Sequence, residues 1–167
     1  VRAFIQAARE LPNLRLMLLG SGSQAAHLRQ MLMDGGVLER VHFGGQVSQD
    51  RLAGYYRAAD LYISASHSDG SSVSLMEALA SGCAVLVSDI PGNREWIEAG
   101  RAGWLFPDGD SDALAAGIRQ AVTTDLGTMR GQARALAEDR ADWSKNFQVL
   151  LQAYDLAVRW NSARVSA

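Results

Sequence analysis

The chain has 167 residues, enough for one domain with a single hydrophobic core, and 48% of them are hydrophobic. Its net charge of −2 argues against a nucleic-acid partner, which would need a basic surface to neutralise phosphates. A single cysteine, Cys83, excludes an internal disulfide, and no apolar run approaches the roughly 20 residues of a membrane span. We therefore expect a cytoplasmic protein, and peripheral association of the intact protein with the inner membrane face stays open.

Short apolar runs alternate with segments of helical periodicity along the whole chain. In chain order, the predicted elements are a helix at 1–11, a strand at 14–19, a helix at 24–33, a strand at 40–43, a helix at 49–59 capped by Ser48, a strand at 60–64, a helix from Ser71 or Ser72 to Ala80, a strand at Ala84–Ser88, a short helix after Pro91, a strand at Gly103–Phe106, and helices from Ser111 onward with breaks near Gly127 and Asp142. The pattern has no internal repeat.

The predicted strands are short and apolar on both faces, and helices separate them. This pattern is typical of a parallel sheet covered on both sides, so the sequence predicts a doubly wound α/β fold. Ligands of such folds bind at the carboxyl ends of the strands, near helix N-termini. The segments that follow the strands are therefore the candidate binding segments.

The first candidate segment is Gly20-Ser21-Gly22, which follows the strand at 14–19. Two glycines permit a tight turn and a close approach of the backbone to a phosphate or a sugar. A complete Gly-x-Gly-x-x-Gly motif is absent, because Ala25 stands at the third glycine position. A plain turn from strand to helix is the alternative interpretation.

The second candidate segment is the polar loop at 65–72, which leads into the helix that ends at Ala80. Free backbone amides at the start of this helix form an anion site. Two carboxylates flank them, since Asp69 precedes the helix and Glu77 lies inside it among apolar residues. Glu77 is expected to be half-buried and to need partners, and it could accept hydrogen bonds from adjacent hydroxyls. A capping residue plus a solvated glutamate is the alternative.

The third candidate segment is residues 88–96, where Pro91-Gly92 forms a turn before a polar helix start. This loop either borders the same crevice or is only a turn. Arg94 and Glu95 either pair with each other or lie at the rim of the crevice.

Taken together, these segments resemble a known enzyme family. The motifs that carry the resemblance are Leu18-Leu19-Gly20-Ser21-Gly22, Val41-His42-Phe43-Gly44-Gly45, Ala59-Asp60-Leu61-Tyr62-Ile63, the stretch 66–82, and Gly103-Trp104-Leu105-Phe106-Pro107. In this order and spacing the chain is similar to the C-terminal domain of retaining GT-B glycosyltransferases with the Glu-x7-Glu signature (glycosyl transferases group 1, family 4). The resemblance implies a Rossmann-like domain that binds a nucleotide-diphosphate sugar.

The resemblance also implies a role for each candidate residue. Glu77 stands at the second signature position, which holds the ribose. Asp69 stands at the first, catalytic position beside the donor sugar, where relatives have glutamate; its carboxylate is one methylene shorter. The remaining donor-binding residues are Gly20, Gly22, Gly45, Gly70, Ser71, Ser72 and Val73. The family generally uses no metal or other cofactor, and the sequence has no His, Asp and Glu cluster at ligand spacing.

The resemblance further implies the domain organisation. Residues 1–167 correspond to the nucleotide-sugar-binding domain, and Val1 lies inside a predicted helix, so we expect a fragment without the N-terminal acceptor domain and without the family's basic phosphate ligands. Such a fragment is expected to be inactive alone. In the family the last helix, here 145–160, often crosses to the other domain; otherwise it lies exposed or packs on a neighbouring molecule.

Two other classes of function stay open. One is a different GT-B enzyme, such as a nucleotide-sugar epimerase or a phosphorylase. The other is a non-catalytic nucleotide-binding module, which the aspartate at position 69 slightly favours. The acidic pair of Asp69 and Glu77 with Gly70 between them favours the transferase.

Overall fold

The computed structural model describes residues 1–97 and 101–165. Helices and strands alternate, and a 3₁₀ turn at Leu38–Arg40 precedes the second strand. The elements are α1 (Arg2–Glu10), β1 (Leu16–Leu19), α2 (Ala25–Asp34), β2 (Val41–Gly45), α3 (Gln49–Ala58), β3 (Leu61–Ser64), α4 (Val73–Ala80), β4 (Ala84–Ser88), α5 (Pro91–Arg94), β5 (Gly103–Phe106), α6 (Ser111–Thr123), α7 (Gly127–Arg140) and α8 (Trp143–Val165). The predicted order of elements is confirmed.

All strand pairs in the described residues are parallel, as the alternation of strands and helices predicts. They form two separate sheets, β1-β2 and β3-β4-β5, and β1 makes no ladder with β3. In the larger sheet, Tyr62 lies opposite Val85 and Leu86 lies opposite Trp104. The carboxyl ends of β3, β4 and β5 therefore share one edge, from which the loops 65–72, 89–90 and 107–110 emerge.

Helix α1 connects the two sheets because it has apolar side chains on two faces. Ala3 and Ala7 pack with α6 and with Leu86 of β4 in one cluster. Phe4 and Ala8 pack with α2, β1 and β2 in another cluster. Helices α3, α4 and α7 cover the opposite face of the larger sheet, where Val85 and Val87 point. The larger sheet is thus covered on both sides, as a doubly wound fold requires.

Burial of the strands is less uniform than the sequence suggests. Every residue of β4 is buried, which agrees with its continuous apolar run. In β1, however, Met17 is 47% exposed and Leu19 is 36% exposed. The expectation that all strands are buried on both faces is wrong for β1, because no described element covers this face of the two-stranded sheet.

Helix α8 is longer than the predicted 145–160. Its large apolar side chains up to Trp160 are exposed, including Trp143 at 68% and Trp160 at 70%. Which of the three arrangements open from the sequence the helix adopts in the intact protein stays a prediction. No helix among the described residues is both long and apolar enough to cross a membrane.

Candidate functional site

The carboxyl ends of β1 and β2 are joined by a hydrogen bond between two of the predicted site glycines. The amide of Gly20 donates to the carbonyl oxygen of Gly45 over 2.6 Å. Both residues have positive φ, +108° at Gly20 and +63° at Gly45, a conformation that a side chain would strain. Gly22 follows in the exposed turn before α2. The structure therefore places these glycines together at the edge where ligands of α/β sheets bind.

The loop at 65–72 presents a run of free backbone donors. Ser72 caps α4, because its Oγ accepts from the amide of Leu75 over 3.4 Å. The five amides from Gly70 to Ser74 donate to no described residue. Asp69 is exposed, and its carboxylate has no hydrogen-bond or ion-pair partner among the described residues. Free amides beside a free carboxylate can bind a ligand that carries both an anion and hydroxyl groups.

The other predicted cap, Ser48, occupies the N-cap position of α3, but its side chain makes no capping hydrogen bond. The preference for serine at the N-cap thus predicted the start of both helices, but only Ser72 makes a capping hydrogen bond.

Buried polar groups hold the loop at 65–72 against its neighbours. The Oγ of Ser88, 0% exposed, donates to the carbonyl of Ser66 over 2.5 Å, and the Nδ2 of Asn93, 1% exposed, donates to the carbonyl of Ser88 over 2.8 Å. On the surface, Nδ1 of His67 lies 2.7 Å from Oδ1 of Asp108 after β5. The loop is therefore fixed to both strands that follow β3, which the sequence did not predict.

Helix α5 packs directly on the loop backbone at Gly92. A Cβ atom added to Gly92 would overlap the carbonyl oxygen of Gly70 and would lie 2.6 Å from that of Asp69. Only a residue without a side chain fits this contact. Residues 88–96 therefore pack against the loop at 65–72 and are more than a turn; whether they border a ligand crevice stays a prediction.

Arg94 pairs with Asp89, and not with Glu95 as one alternative had it. Its Nε donates to Oδ1 of Asp89 over 2.5 Å and its Nη2 to Oδ2 over 3.0 Å. This hydrogen-bonded pair lowers the pKa of the Asp89 carboxyl and raises that of Arg94. Both groups are exposed, so the pair adds little stability.

Helix α4, which carries Glu77, is anchored at its C-terminal end by α7. Arg130 donates to the carbonyls of Gly82 and Ala59 over 3.2 and 3.1 Å, and Arg134 donates to the carbonyl of Ala80. Arginine side chains at a helix C-terminus satisfy carbonyls that lack partners within the helix. Burial of Leu75 and Leu79 stabilises the folded state by about 1.5–3 kcal/mol for each side chain. The helix is therefore a rigid support for the residues at its start and for Glu77.

Glu77 is half-buried, as predicted, and its carboxylate has one hydrogen-bond partner among the described residues. The hydroxyl of Tyr56 on α3 donates to Oε2 of Glu77 over 3.3 Å, while Oε1 bonds to no described residue. Burial, and then the negative charge of Glu77, raises the pKa of Tyr56 well above its usual range, so its hydroxyl stays protonated. Nothing in the sequence distinguished Tyr56 from a core aromatic residue.

A groove of about 460 Å³ runs along α4 in front of Glu77. Its lining residues are Gln49, Leu52, Ala53, Tyr56, Arg57, Glu77, Ala80, Ser81, Gly82 and Arg134. None of the other predicted site residues lines this groove within the described chain. The structure therefore brings Gly20 and Gly45 together, groups Asp69 with the amides from Gly70 to Val73, and places Glu77 on the α3-facing side of α4.

The chain matches the model of a protein family described as Glycosyl transferases group 1, over residues 1–148. It is 34% identical over 127 residues to the UDP-N-acetylglucosamine–peptide N-acetylglucosaminyltransferase GtfA subunit of Streptococcus pneumoniae serotype 4, an alignment that covers 75% of this chain and 24% of that protein. It is 34% identical over 146 residues to the phosphatidyl-myo-inositol mannosyltransferase of Mycobacterium leprae, covering 86% of this chain and 38% of that protein.

Solved structures of glycosyltransferases share the fold of this chain. The pneumococcal O-GlcNAc transferase GtfA in complex with UDP and GlcNAc matches with a TM-score of 0.77 and 30% identity, over 90% of this chain and 32% of that one. Anabaena Alr3699/HepE in complex with UDP and glucose matches with a TM-score of 0.83 and 25% identity, over 92% of this chain and 44% of that one. The expected α/β, Rossmann-like fold of a GT-B domain is confirmed. The chain spans less than half the length of each of these relatives.

Proposed function

The chain belongs to the Glycosyl transferases group 1 family, and from this premise we propose that it supplies the donor-binding half of a retaining glycosyltransferase. In this proposal, residues 1–167 form the C-terminal domain, and a separate domain of the intact protein binds the acceptor. The protein transfers a sugar from a nucleotide-diphosphate sugar to that acceptor. The isolated domain binds the donor weakly and has no activity.

The observation that carries this proposal is the run of amides from Gly70 to Ser74, which donate to no described residue, beside the exposed carboxylate of Asp69. A diphosphate accepts hydrogen bonds from such amides, and the positive end of α4 favours its charge. Glu77 offers its Oε1, which bonds to no described residue, to the ribose hydroxyls. Gly20, Gly22 and Gly45 allow the donor to approach the backbone. Since two similar structures contain UDP, a uridine diphosphate sugar is the first donor to test.

The stereochemistry of transfer tests the proposal directly. With the intact enzyme and a UDP-sugar, we expect a product with the anomeric configuration of the donor, formed at an unchanged rate in the presence of a chelator. The reason is that amides and the helix terminus meet the diphosphate charge without a metal ion. Proton NMR of the new glycosidic bond measures the configuration. An inverted product would contradict the retaining assignment, and a strict magnesium requirement would contradict the metal-free site.

Asp69 is proposed to position the donor sugar through its hydroxyl groups, and not to attack the anomeric carbon. The change Asp69→Asn is expected to lower kcat by about tenfold to a hundredfold, which equals roughly 1.4–2.7 kcal/mol of barrier. Some activity remains, because an amide still hydrogen-bonds one hydroxyl. Asp69→Glu is expected to be tolerated or to shift the donor-sugar preference.

Steady-state kinetics with two donor sugars measures the effects of both substitutions at Asp69. Asp50→Asn is the control, because it removes the charge of an exposed carboxylate on α3. Mass spectrometry of the enzyme during turnover supplies the second measurement. A covalent glycosyl adduct on Asp69 would contradict the positioning role.

A further inference from the structure

We propose that Tyr56 is a positioning residue that orients the Glu77 carboxylate for recognition of the donor ribose. The inference rests on the proposed function, because it needs Glu77 to contact the ribose. It adds Tyr56, a residue of a different helix, α3. Tyr56 precedes Glu77 by 21 positions in the chain, so the two side chains meet only in the folded protein.

The contact is directional because the two groups have fixed chemical roles. A carboxylate without a proton only accepts hydrogen bonds, so the Tyr56 hydroxyl donates to Oε2 of Glu77. The hydroxyl stays protonated, since burial and the nearby carboxylate both raise its pKa. An ionised carboxylate has about four lone-pair sites, of which Tyr56 occupies one. Oε1 bonds to no described residue, and Glu77 lines the groove along α4.

Tyr56 itself is held in place, which is a requirement for a positioning residue. Only 8% of its surface is exposed. Its ring packs edge-to-face on Tyr62, with centroids 5.8 Å apart and planes at 71°. A glutamate side chain has several rotatable bonds, so it loses considerable entropy on ordering. A rigid donor on a neighbouring helix lowers the entropy that Glu77 loses when the ligand binds.

The same pair of tyrosines connects Glu77 to the start of α4. The hydroxyl of Tyr62 lies 2.8 Å from Oγ of Ser74, which lies 3.2 Å from Oγ of the capping residue Ser72. The side chain of Ser74 at the start of α4 and the carboxylate of Glu77 thus both bond to one aromatic pair. A residue that only filled the core would not need a hydroxyl at the carboxylate.

The test compares nucleoside diphosphates with and without ribose hydroxyls. Binding of UDP, GDP and ADP, and of their 2′,3′-dideoxy forms, is measured by calorimetry on the intact protein and its variants. For the nucleotide that binds most tightly, Tyr56→Phe is expected to reduce the preference for ribose over dideoxyribose by about fivefold, the effect of one hydrogen bond. Affinity for the dideoxy form is expected to stay unchanged. In turnover, the donor KM rises while kcat is retained.

Each control isolates one part of the inference. Glu77→Ala is expected to remove the ribose preference. Tyr55→Phe is expected to leave it unchanged, because the hydroxyl of this neighbouring tyrosine on α3 bonds to no described residue. Tyr56→Leu also removes the hydroxyl but replaces the ring with an aliphatic side chain. Its ribose preference is expected to equal that of Tyr56→Phe. The preference is a ratio of two affinities of one preparation, so a fraction of unfolded protein does not alter it.

The outcomes separate the inference from the function on which it rests. If folded Tyr56→Phe kept the wild-type preference for ribose while Glu77→Ala lost that preference, the role of Tyr56 would be overturned. The ribose role of Glu77 would then stay intact. A wild-type protein without any ribose preference, or a Glu77→Ala variant that keeps it, would overturn the ribose role itself.

Discussion

Replacing Gly92 with alanine is expected to lower kcat/KM of the intact enzyme by about a hundredfold, because small misplacements of reacting groups have effects of this size. The added Cβ overlaps the carbonyl of Gly70 and crowds that of Asp69, both of which are backbone atoms. A backbone contact is relieved only by moving the loop or α5. Either movement displaces Asp69 and the free amides that follow it. Overpacking of this kind also lowers the free energy of unfolding by about 1–3 kcal/mol.

Steady-state kinetics and urea unfolding measure the two effects of Gly92→Ala. Gly131→Ala is the matched control, because Gly131 lies in α7 and an added Cβ there meets no heavy atom within 4 Å. The control is expected to keep full activity and to gain about 0.5–1 kcal/mol of stability from the higher helix propensity of alanine. Wild-type activity in Gly92→Ala would show that catalysis does not depend on the observed position of the loop at 65–72.

Replacing Glu77 with alanine is expected to raise the donor KM by about tenfold to a hundredfold, since hydrogen bonds to a charged acceptor contribute about 1.5–3 kcal/mol each before desolvation. The catalytic efficiency falls accordingly, while the fold stays intact. Glu77→Gln is expected to lose less, because its amide oxygen still accepts a hydrogen bond from Tyr56 or from one ribose hydroxyl.

Donor titrations of turnover measure the change, and circular dichroism confirms that the variants are folded. Glu39→Gln serves as the control, since this glutamate lies outside the proposed site and its side chain is 69% exposed. An unchanged donor KM in a folded Glu77→Ala variant would show that Glu77 does not hold the ribose.

Local sequence patterns were sufficient for the order of the elements and for several of their bounds. The strands β4 and β5 begin and end where predicted, because short apolar runs are bounded there by turn residues. The α/β class follows from the same alternation. Ser72 was identified as one of two candidates for the cap of α4, because capping depends on a residue and its near neighbours in the chain.

Other local predictions failed where the outcome depends on packing. The rule that placed Ser72 also placed Ser48, yet Ser48 makes no capping bond. The apolar residues of β1 predicted burial on both faces, yet Met17 and Leu19 are exposed because no described element covers that face. An apolar side chain specifies a preference for burial, and only the arrangement of the other elements decides whether a partner is present.

By itself, the sequence identified the candidates for the chemistry: Asp69, Glu77 and the glycines at the strand ends. Only the tertiary structure decided what holds them, namely Gly92 against the backbone of Gly70 and Tyr56 against the carboxylate of Glu77. These contacts join residues about twenty positions apart. Chemical type and helix or strand periodicity are properties of neighbouring residues in the chain, whereas such contacts exist only after separate helices and strands have packed together.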